Sequence, residues 1–329
     1  FHHLARRVSV MRRFLKRLLI FVAAVLLLLY FGVWHMAQYP PGPGDLSWQN
    51  LVMDKGWSKF MDMGHYQVHY LEAGRGAPLL LIHGFADSSY SWQRNFEALA
   101  EAGFRVLALD LPGLGRSEAP PGFSFTPEAM AAVILEFLDR KNIPRVHLIG
   151  NSLGGHLTLF LAVEHSERVN KIVPVDPACY PFDRHRFLGP AARNRALSEL
   201  AKPLIGPWVF HFTFKRCFYD PGLATEAMIS QRSRPFLRPD FKDNLIKLGG
   251  AYFSTTFAEL SGKYRKITAP TLIVWGDADR MIPAKGFAVR LQKDIPGSRL
   301  VIIEKAGHLP HTERPETFNR LVVEFLRQG

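Results

Sequence analysis

Ser152 is the residue whose type and surroundings are best suited to chemistry. It lies at the centre of a G-N-S-L-G pentapeptide at 150–154. Residues 145–150 form a short apolar run typical of a strand, and residues 155–164 have the apolar spacing of a helix. A sharp turn between them would hold the hydroxyl at its tip, and glycines allow the close backbone approach that such a turn needs. We therefore predict that Ser152 is a nucleophile.

A serine hydroxyl is a weak nucleophile at neutral pH, so further groups must accompany it. It needs a base, an acid that orients the base, and donors for an oxyanion. The sequence offers aspartates and a histidine after later apolar runs, at Asp176, Asp277, Asp279 and His308. The order of the functional groups along the chain is therefore Ser, Asp, His.

The elements that must position these residues alternate along the sequence. Short apolar runs at 78–82, 105–110, 145–150, 171–176, 269–276 and 299–304 alternate with helical stretches. This alternation predicts an α/β fold with a doubly wound sheet. Residues 180–262 interrupt it with mostly helical sequence, which predicts a cap over the strand ends, where open α/β sheets bind ligands.

Five segments together resemble the successive signatures of the α/β-hydrolase superfamily. They lie at 83–85, 110–117, 150–154, 275–283 and 307–315, within a resemblance that covers residues 60–329. The resemblance implies an α/β-hydrolase fold, with a mostly parallel sheet and an inserted helical cap. It also implies an acyl-serine mechanism that needs neither a metal nor an organic cofactor.

The resemblance assigns roles to particular residues. The family places its acid in a G-x-x-D-x-x-x-P segment, which implies Asp279, and the matching base is His308. The oxyanion donors are then the backbone N–H groups of Phe85 and Leu153.

Several other residues in these segments could in principle take part. Asp277 and Asp176 stay open as alternative acids. Structural roles are expected for the remaining candidates: shaping of loops by His83 and Asp110, packing by His156, and a structural or surface position for His311.

The N-terminal part of the sequence predicts a membrane helix. Residues 18–34 contain no charged side chain, and at about 1.5 Å per residue they span roughly 26 Å. Six arginines and lysines precede this run, whereas the next basic residue after Arg17 is Lys55. This bias places the N-terminus in the cytoplasm and the catalytic domain in the periplasm, on a single-pass anchor in the inner membrane.

Two points about this region stay open. A cleaved signal peptide is the alternative to an anchor, although a cut after Ala37 would leave His35 where a small residue is preferred. Residues 1–10 precede Met11, and whether they are native is left undecided.

Charge and cysteine content exclude other classes. The net charge is +12, of which six units lie in residues 1–34. No basic-aromatic RNA motif or zinc-finger spacing occurs, so we expect no nucleic-acid partner. Cys179 and Cys217 fit neither a metal site nor a disulfide framework and are predicted to be unpaired thiols.

These observations divide the chain into regions. The predicted order is a basic cytoplasmic segment, a transmembrane and juxtamembrane helix, a linker, a hydrolase core in two parts, and a cap. The corresponding residues are 1–17, 18–38, 39–58, 59–179 with 263–329, and 180–262.

The expected substrate follows from the anchor and the cap. Residues 203–219 are rich in aromatic side chains with basic residues beside them, which suits acyl chains and anionic head groups. The whole is similar to membrane-anchored bacterial lipases and phospholipases A and to anchored monoacylglycerol lipases. This implies a serine esterase whose partners are a lipid or fatty-acyl ester substrate and, through the helix, membrane lipids.

The same sequence features are compatible with two other functions. One is a hydrolase-fold enzyme with a non-lipid substrate, such as a carbon–carbon bond hydrolase or a peptidase. Another is a non-enzymatic binder with this fold. The apolar helix could also form a homodimer contact, although it lacks a G-x-x-x-G pattern.

Overall fold

The computed structural model describes residues 2–181, 194–252 and 256–328. An eight-stranded sheet is its centre, with the strand order β1-β2-β4-β3-β5-β6-β7-β8. The strands are β1 (Ser58–Asp62), β2 (Gln67–Ala73), β3 (Ala77–Ile82), β4 (Phe104–Leu109), β5 (Val146–Asn151), β6 (Val169–Val175), β7 (Leu272–Gly276) and β8 (Arg299–Ile303).

The sheet is mostly parallel, as the sequence predicts. The pairs β1–β2 and β2–β4 are antiparallel, and the pairs from β4 to β8 are parallel. Successive side chains of β3 pack on opposite faces, with Leu80 and Ile82 in one apolar cluster and Leu79 and Leu81 in the other. Both faces are covered, which explains the continuous apolar runs of the central strands.

Helices cover the two faces and form the cap. The described helices, apart from short 3₁₀ turns, are α1 (His2–Ala37), α2 (Leu46–Asp54), α3 (Phe96–Glu101), α4 (Pro127–Arg140), α5 (Leu153–Glu164), α6 (Arg195–Ala201), α7 (Trp208–Phe214), α8 (Glu226–Ser233), α9 (Phe241–Tyr252), α10 (Thr256–Ser261), α11 (Ala284–Asp294), α12 (Pro310–Glu313) and α13 (Pro315–Arg327).

The cap consists of α6 to α10, which lie between β6 and β7. It interrupts the strand–helix alternation where the sequence predicts an insertion. Residues 182–193 and 253–255 of the predicted cap lie outside the described residues. The domain limits given above stay predictions.

Helix α4 begins with a start signal that lies in its own sequence. The Thr126 hydroxyl accepts a hydrogen bond from the backbone N–H of Ala129 at 3.3 Å, and Pro127 is the first helical residue. A side-chain cap with proline at the first position is a strong start signal.

The predicted linker 39–58 contains a helix that was not predicted, α2. The Asp45 side chain caps it by accepting from the backbone N–H of Trp48 at 3.1 Å. The indole of Trp48 is buried against Tyr90 and Trp57. Tertiary packing of this aromatic side chain, rather than local helix propensity, orders the segment.

Helix α1 is continuous over 36 residues. Its segment Leu18–Ala37 has a mean hydropathy of 2.4 and is long and apolar enough to cross a membrane. A signal sequence has the same properties, so length and composition alone do not separate the two.

Candidate active site

Ser152 lies in the turn between β5 and α5, as its flanking pattern predicts. Its backbone has φ +56° and ψ −111°, a conformation that a residue with a Cβ rarely adopts. A Cβ at Gly150 would overlap the carbonyl oxygen of Gly154, and a Cβ at Gly154 would overlap that of Ile82. Close packing of three backbone segments therefore requires both glycines and exposes the serine side chain at the turn.

His308 and Asp279 form a buried pair. The Nδ1 atom of His308 lies 2.7 Å from Oδ2 of Asp279. The other oxygen, Oδ1, accepts backbone hydrogen bonds from Met281 at 2.7 Å and Ile282 at 3.0 Å. An ionised carboxylate only accepts, so Nδ1 of His308 carries the proton and Nε2 is left as the basic nitrogen. This is the tautomer that a general base requires.

The two alternative acids occupy different positions. Asp277 is exposed, and its Oδ1 accepts from the backbone N–H of Ala306 at 3.2 Å. Asp176 is buried after β6, and its Oδ1 accepts from the backbone N–H of Gly276 at 3.0 Å. Asp176, Asp279 and His308 each place one side-chain oxygen or nitrogen atom within 4.8 Å of those of the other two. Asp176 is thus beside the pair, whereas the described contacts of Asp277 lead elsewhere.

Asp176 has the electrostatics of a neutral acid. Burial, together with the neighbouring Asp279 charge, raises its pKa well above the usual value. Three potential metal-ligand atoms this close together also resemble a small metal site. However, hydrogen bonds already occupy Nδ1 of His308 and both oxygens of Asp279. The arrangement therefore fits an acid that orients a histidine better than a metal centre.

The predicted oxyanion donors lie on either side of Ser152. Leu153 is the first residue of α5, a position whose N–H has no partner within the helix. Phe85 follows β3 in a loop that passes close to the serine: a Cβ at Gly84 would lie 3.4 Å from the Ser152 Cβ. Phe85 also lines the same cavity as Ser152 and His308. The structure therefore brings these five predicted residues to one place, and their roles stay predictions.

The cavity has a volume of about 840 Å³. Its floor is formed by the loops that carry Phe85, Ser152 and His308, and its roof by residues of α6, α7 and α9. Tyr30 of α1 also lines it. The described lining residues are mostly apolar and include no lysine or arginine. This cavity suits an elongated molecule with substantial apolar surface.

A buried arginine lies beside the cavity, and sequence reasoning missed it. Nε of Arg232 is 3.2 Å from Oδ2 of Asp87, a lining residue. The guanidinium stacks on the rings of Phe214 at 4.3 Å and Tyr90 at 4.8 Å. Among the described residues, no hydrogen-bond partner is found for its Nη1 and Nη2 atoms. The sequence carries no local signal of its burial, because Arg232 lies between Gln231 and Ser233 and is followed by Arg234.

The histidines at 83, 156 and 311 have structural positions, as predicted. His83 uses Nε2 to accept from the backbone N–H of Leu111 at 3.0 Å. Burial lowers the pKa of His156 to about 4 and that of His311 to about 3. Asp110 accepts from the backbone N–H groups of Ser89 and Arg116, which shapes its loop. Both cysteines are unpaired.

Comparison with known proteins identifies the fold and narrows the function. A family model for the alpha/beta hydrolase fold matches residues 77–315. A 2-hydroxy-6-oxononadienedioate/2-hydroxy-6-oxononatrienedioate hydrolase of Burkholderia vietnamiensis is 33% identical over 80% of this chain and 91% of its own.

Two solved structures are also similar. A meta-cleavage product hydrolase from Pseudomonas fluorescens is 25% identical, with a TM-score of 0.66 over 82% of this chain and 97% of its own. A membrane phospholipase A is 26% identical, with a TM-score of 0.69 over 96% of this chain and 98% of its own.

The expectation of an acyl-lipid ester hydrolase is wrong by this comparison. The curated relatives at 30–33% identity are hydrolases of 2-hydroxy-6-oxo acids, which are cleaved at a carbon–carbon bond. Aromatic and apolar residues in the cap were the basis of the lipid expectation. Such residues surround any substrate with a large apolar part, so they do not distinguish a fatty-acyl ester from a conjugated ketone.

Proposed function

Because the chain belongs to the α/β-hydrolase family, we propose that it is a serine hydrolase that cleaves the carbon–carbon bond beside a ketone. The substrate class is a 2-hydroxy-6-oxo-dienoic acid or a close analogue. The observation that carries this proposal is the nearly end-to-end similarity to hydrolases of such acids, at 33% identity over 91% of a relative's length.

The geometry of the site supports the first half of the reaction. Ser152 Oγ adds to the ketone carbon while Nε2 of His308 removes the hydroxyl proton. Asp279 holds His308 in the required tautomer and stabilises the imidazolium that forms. The backbone N–H groups of Phe85 and Leu153 receive the oxyanion.

Collapse of the tetrahedral intermediate breaks the bond between the former ketone carbon and the adjacent carbon. The substrate must first take its keto form, in which the proton of the 2-hydroxyl group has moved to the carbon next to the ketone. The bonding electron pair is then delocalised through the remaining double bond into the new 2-carbonyl group, and the departing acid leaves as a dienolate. His308 returns its proton to this fragment, so charge and protons balance. Water, activated by His308, then hydrolyses the acyl-serine and releases a second carboxylic acid.

The substrate carboxylate needs a positive charge near the cavity. Arg232 is the buried cation beside the lining residues Asp87 and Phe214, with Nη1 and Nη2 unpartnered among the described residues. We propose that Arg232 binds the carboxylate of the substrate. A buried guanidinium gains strongly from an anion, because charge-assisted hydrogen bonds are about twice as strong as neutral ones.

The decisive experiment measures turnover of a defined substrate panel by the full chain. The panel contains 2-hydroxy-6-oxo-dienoic acids with a charged or an apolar 6-substituent, together with simple acyl esters. We expect loss of the conjugated chromophore with the dienoic acids, abolished by Ser152→Ala. Turnover of the esters alone would contradict the proposal.

The role of Arg232 has a matched control within its own ion pair. Arg232→Met is expected to raise KM for the dienoic acids about tenfold, because it removes the carboxylate's partner. Asp87→Asn keeps the cation and should leave KM unchanged or lower it. Similar increases in KM for the two variants would show that the pair shapes the cavity and does not itself bind the carboxylate.

We further propose that α1 is a retained membrane anchor with the catalytic domain on the periplasmic side. The apolar segment Leu18–Ala37 and the one-sided basic cluster before it support this topology. The mass of the mature protein and its extraction by alkaline carbonate test it. An anchored chain keeps its N-terminal segment and stays with the membrane, whereas a chain cut near residue 37 is released.

A further inference from the structure

One face of the membrane helix packs on the catalytic domain. Within residues 18–37, every side chain is exposed except those of Tyr30, Val33 and Ala37. Spacings of three and four residues place these three on a single helix face. Helix α1 therefore packs on the domain over its last two turns, residues 30–37.

The cap residue that receives this face is Gly206. A Cβ at this position would lie 2.7 to 2.9 Å from the Cα, carbonyl oxygen and Cβ atoms of Ala37. Such distances are too short for real side chains, so glycine is what permits the close approach. Two turns earlier on α1, Tyr30 lines the active-site cavity together with Leu197, Leu200 and Leu204.

The position of Tyr30 along the helix determines its depth. It precedes Ala37 by seven residues, which corresponds to about 10 Å along the helix axis. The hydrocarbon core of a bilayer is about 30 Å thick. If Ala37 lies at the membrane surface, Tyr30 lies among the acyl chains of the adjacent leaflet.

The cap surface beside Tyr30 has matching chemistry. Leu197 and Leu200 of α6 line the cavity and are also 50% and 60% exposed. Exposed leucines continue the apolar surface of α1 directly onto the cap, where water would be an unfavourable neighbour. The occupant that fits this combined surface is the lipid bilayer.

We propose that the active-site cavity opens toward the membrane, through a mouth formed by Tyr30, Leu197 and Leu200. The substrate then enters from the bilayer, so among the 2-hydroxy-6-oxo-dienoic acids proposed above this entrance favours those with an apolar 6-substituent. This inference rests on the proposed anchoring of α1 and on the proposed substrate class, whereas its test does not depend on which bond is cleaved.

The test uses the full chain in phosphatidylcholine vesicles and two fluorophosphonate probes of Ser152. One probe carries a hexadecyl chain, and the other is short and water-soluble. We expect labelling by the hexadecyl probe to be about tenfold faster, because the membrane concentrates it at the mouth. Equal rates would overturn the proposal.

Substitutions at two glycines distinguish an effect at the mouth from a general effect on labelling. Gly206→Leu forces α1 away from the cap and is expected to slow hexadecyl labelling about fivefold, with short-probe labelling unchanged. Gly32→Leu makes the same change on α1 where nothing lies within 4 Å of the added Cβ, and both rates should persist. Equal hexadecyl rates in the two variants would overturn the proposal.

A second pair of variants tests the proposal if Gly206→Leu also slows labelling by the short probe. Tyr30→Trp narrows the mouth and should slow only the hexadecyl probe, whereas Phe21→Trp changes an exposed ring and should slow neither. Equal rates of hexadecyl labelling in these two variants would contradict the proposed mouth. Labelling needs only a reactive serine, so failure of carbon–carbon cleavage leaves this result readable.

Discussion

At the scale of single residues, the site is organised around a carboxylate and a carboxylic acid that lie side by side. Asp279 accepts three hydrogen bonds, one of them from His308. Asp176 lies beside it, where burial and the Asp279 charge raise its pKa well above the usual value. The two aspartates therefore differ in their surroundings: three donors bind Asp279, whereas burial beside a negative charge favours the neutral form of Asp176.

This difference predicts opposite outcomes for two conservative substitutions. Asp176→Asn replaces a neutral acid with a neutral amide, so kcat should stay within about threefold of the original. Asp279→Asn disrupts the tautomer of His308 and should lower kcat by about 10⁴. Steady-state kinetics on an activated substrate measures both. A loss at Asp176 as large as that at Asp279 would make Asp176 the acid.

At the scale of elements, the sequence predicted those whose pattern is local. The buried strands were recognisable as apolar runs, and α4 had its own cap at Thr126. Helix α2 was missed because the burial of Trp48 against distant aromatic rings stabilises it. Likewise, the Asp87–Arg232 pair joins residues 145 positions apart, and no local pattern encodes such a contact.

The turn between β5 and α5 depends on glycine for steric reasons. Gly150→Ala introduces a Cβ that overlaps the Gly154 carbonyl, so we expect the free energy of unfolding to fall by about 2 kcal/mol or more. Thermal unfolding of the full chain in detergent measures the change. Gly262→Ala is the control, since its Cβ would lie 3.5 Å from the nearest atom. Equal stability of the two variants would show that the turn tolerates a side chain.

At the scale of the whole molecule, buried neutral histidines link stability to pH. Burial lowers the pKa of His156 to about 4 and that of His311 to about 3, below the usual 6.5. The unfolded chain therefore binds more protons than the folded one below pH 6.5. Stability is fully present above that pH and falls as the pH decreases toward the folded pKa values.

We predict that each of these histidines destabilises the fold by about 2 kcal/mol at pH 5 relative to pH 7. The melting temperature should fall over this interval, and less so in His156→Gln, which cannot take up the proton. His65→Gln removes an exposed histidine and should leave the change of melting temperature with pH as it is in the original protein. Identical slopes for both variants would contradict the assignment to buried groups.

The short segment after α1 limits how far the catalytic domain can travel. Its backbone is bonded back onto α8: the N–H of Gly44 donates to Ser230, and that of Asp45 donates to Gln231, each at 3.2 Å. The Asp45 side chain also accepts from the Tyr90 hydroxyl at 2.7 Å. These hydrogen bonds fix the orientation of the catalytic domain relative to α1, so the segment does not act as a flexible tether. For the proposed membrane-anchored enzyme with an entrance that faces the bilayer, encounters with substrate would depend on lateral diffusion in two dimensions. We then expect the rate to follow the surface density of substrate rather than its bulk concentration.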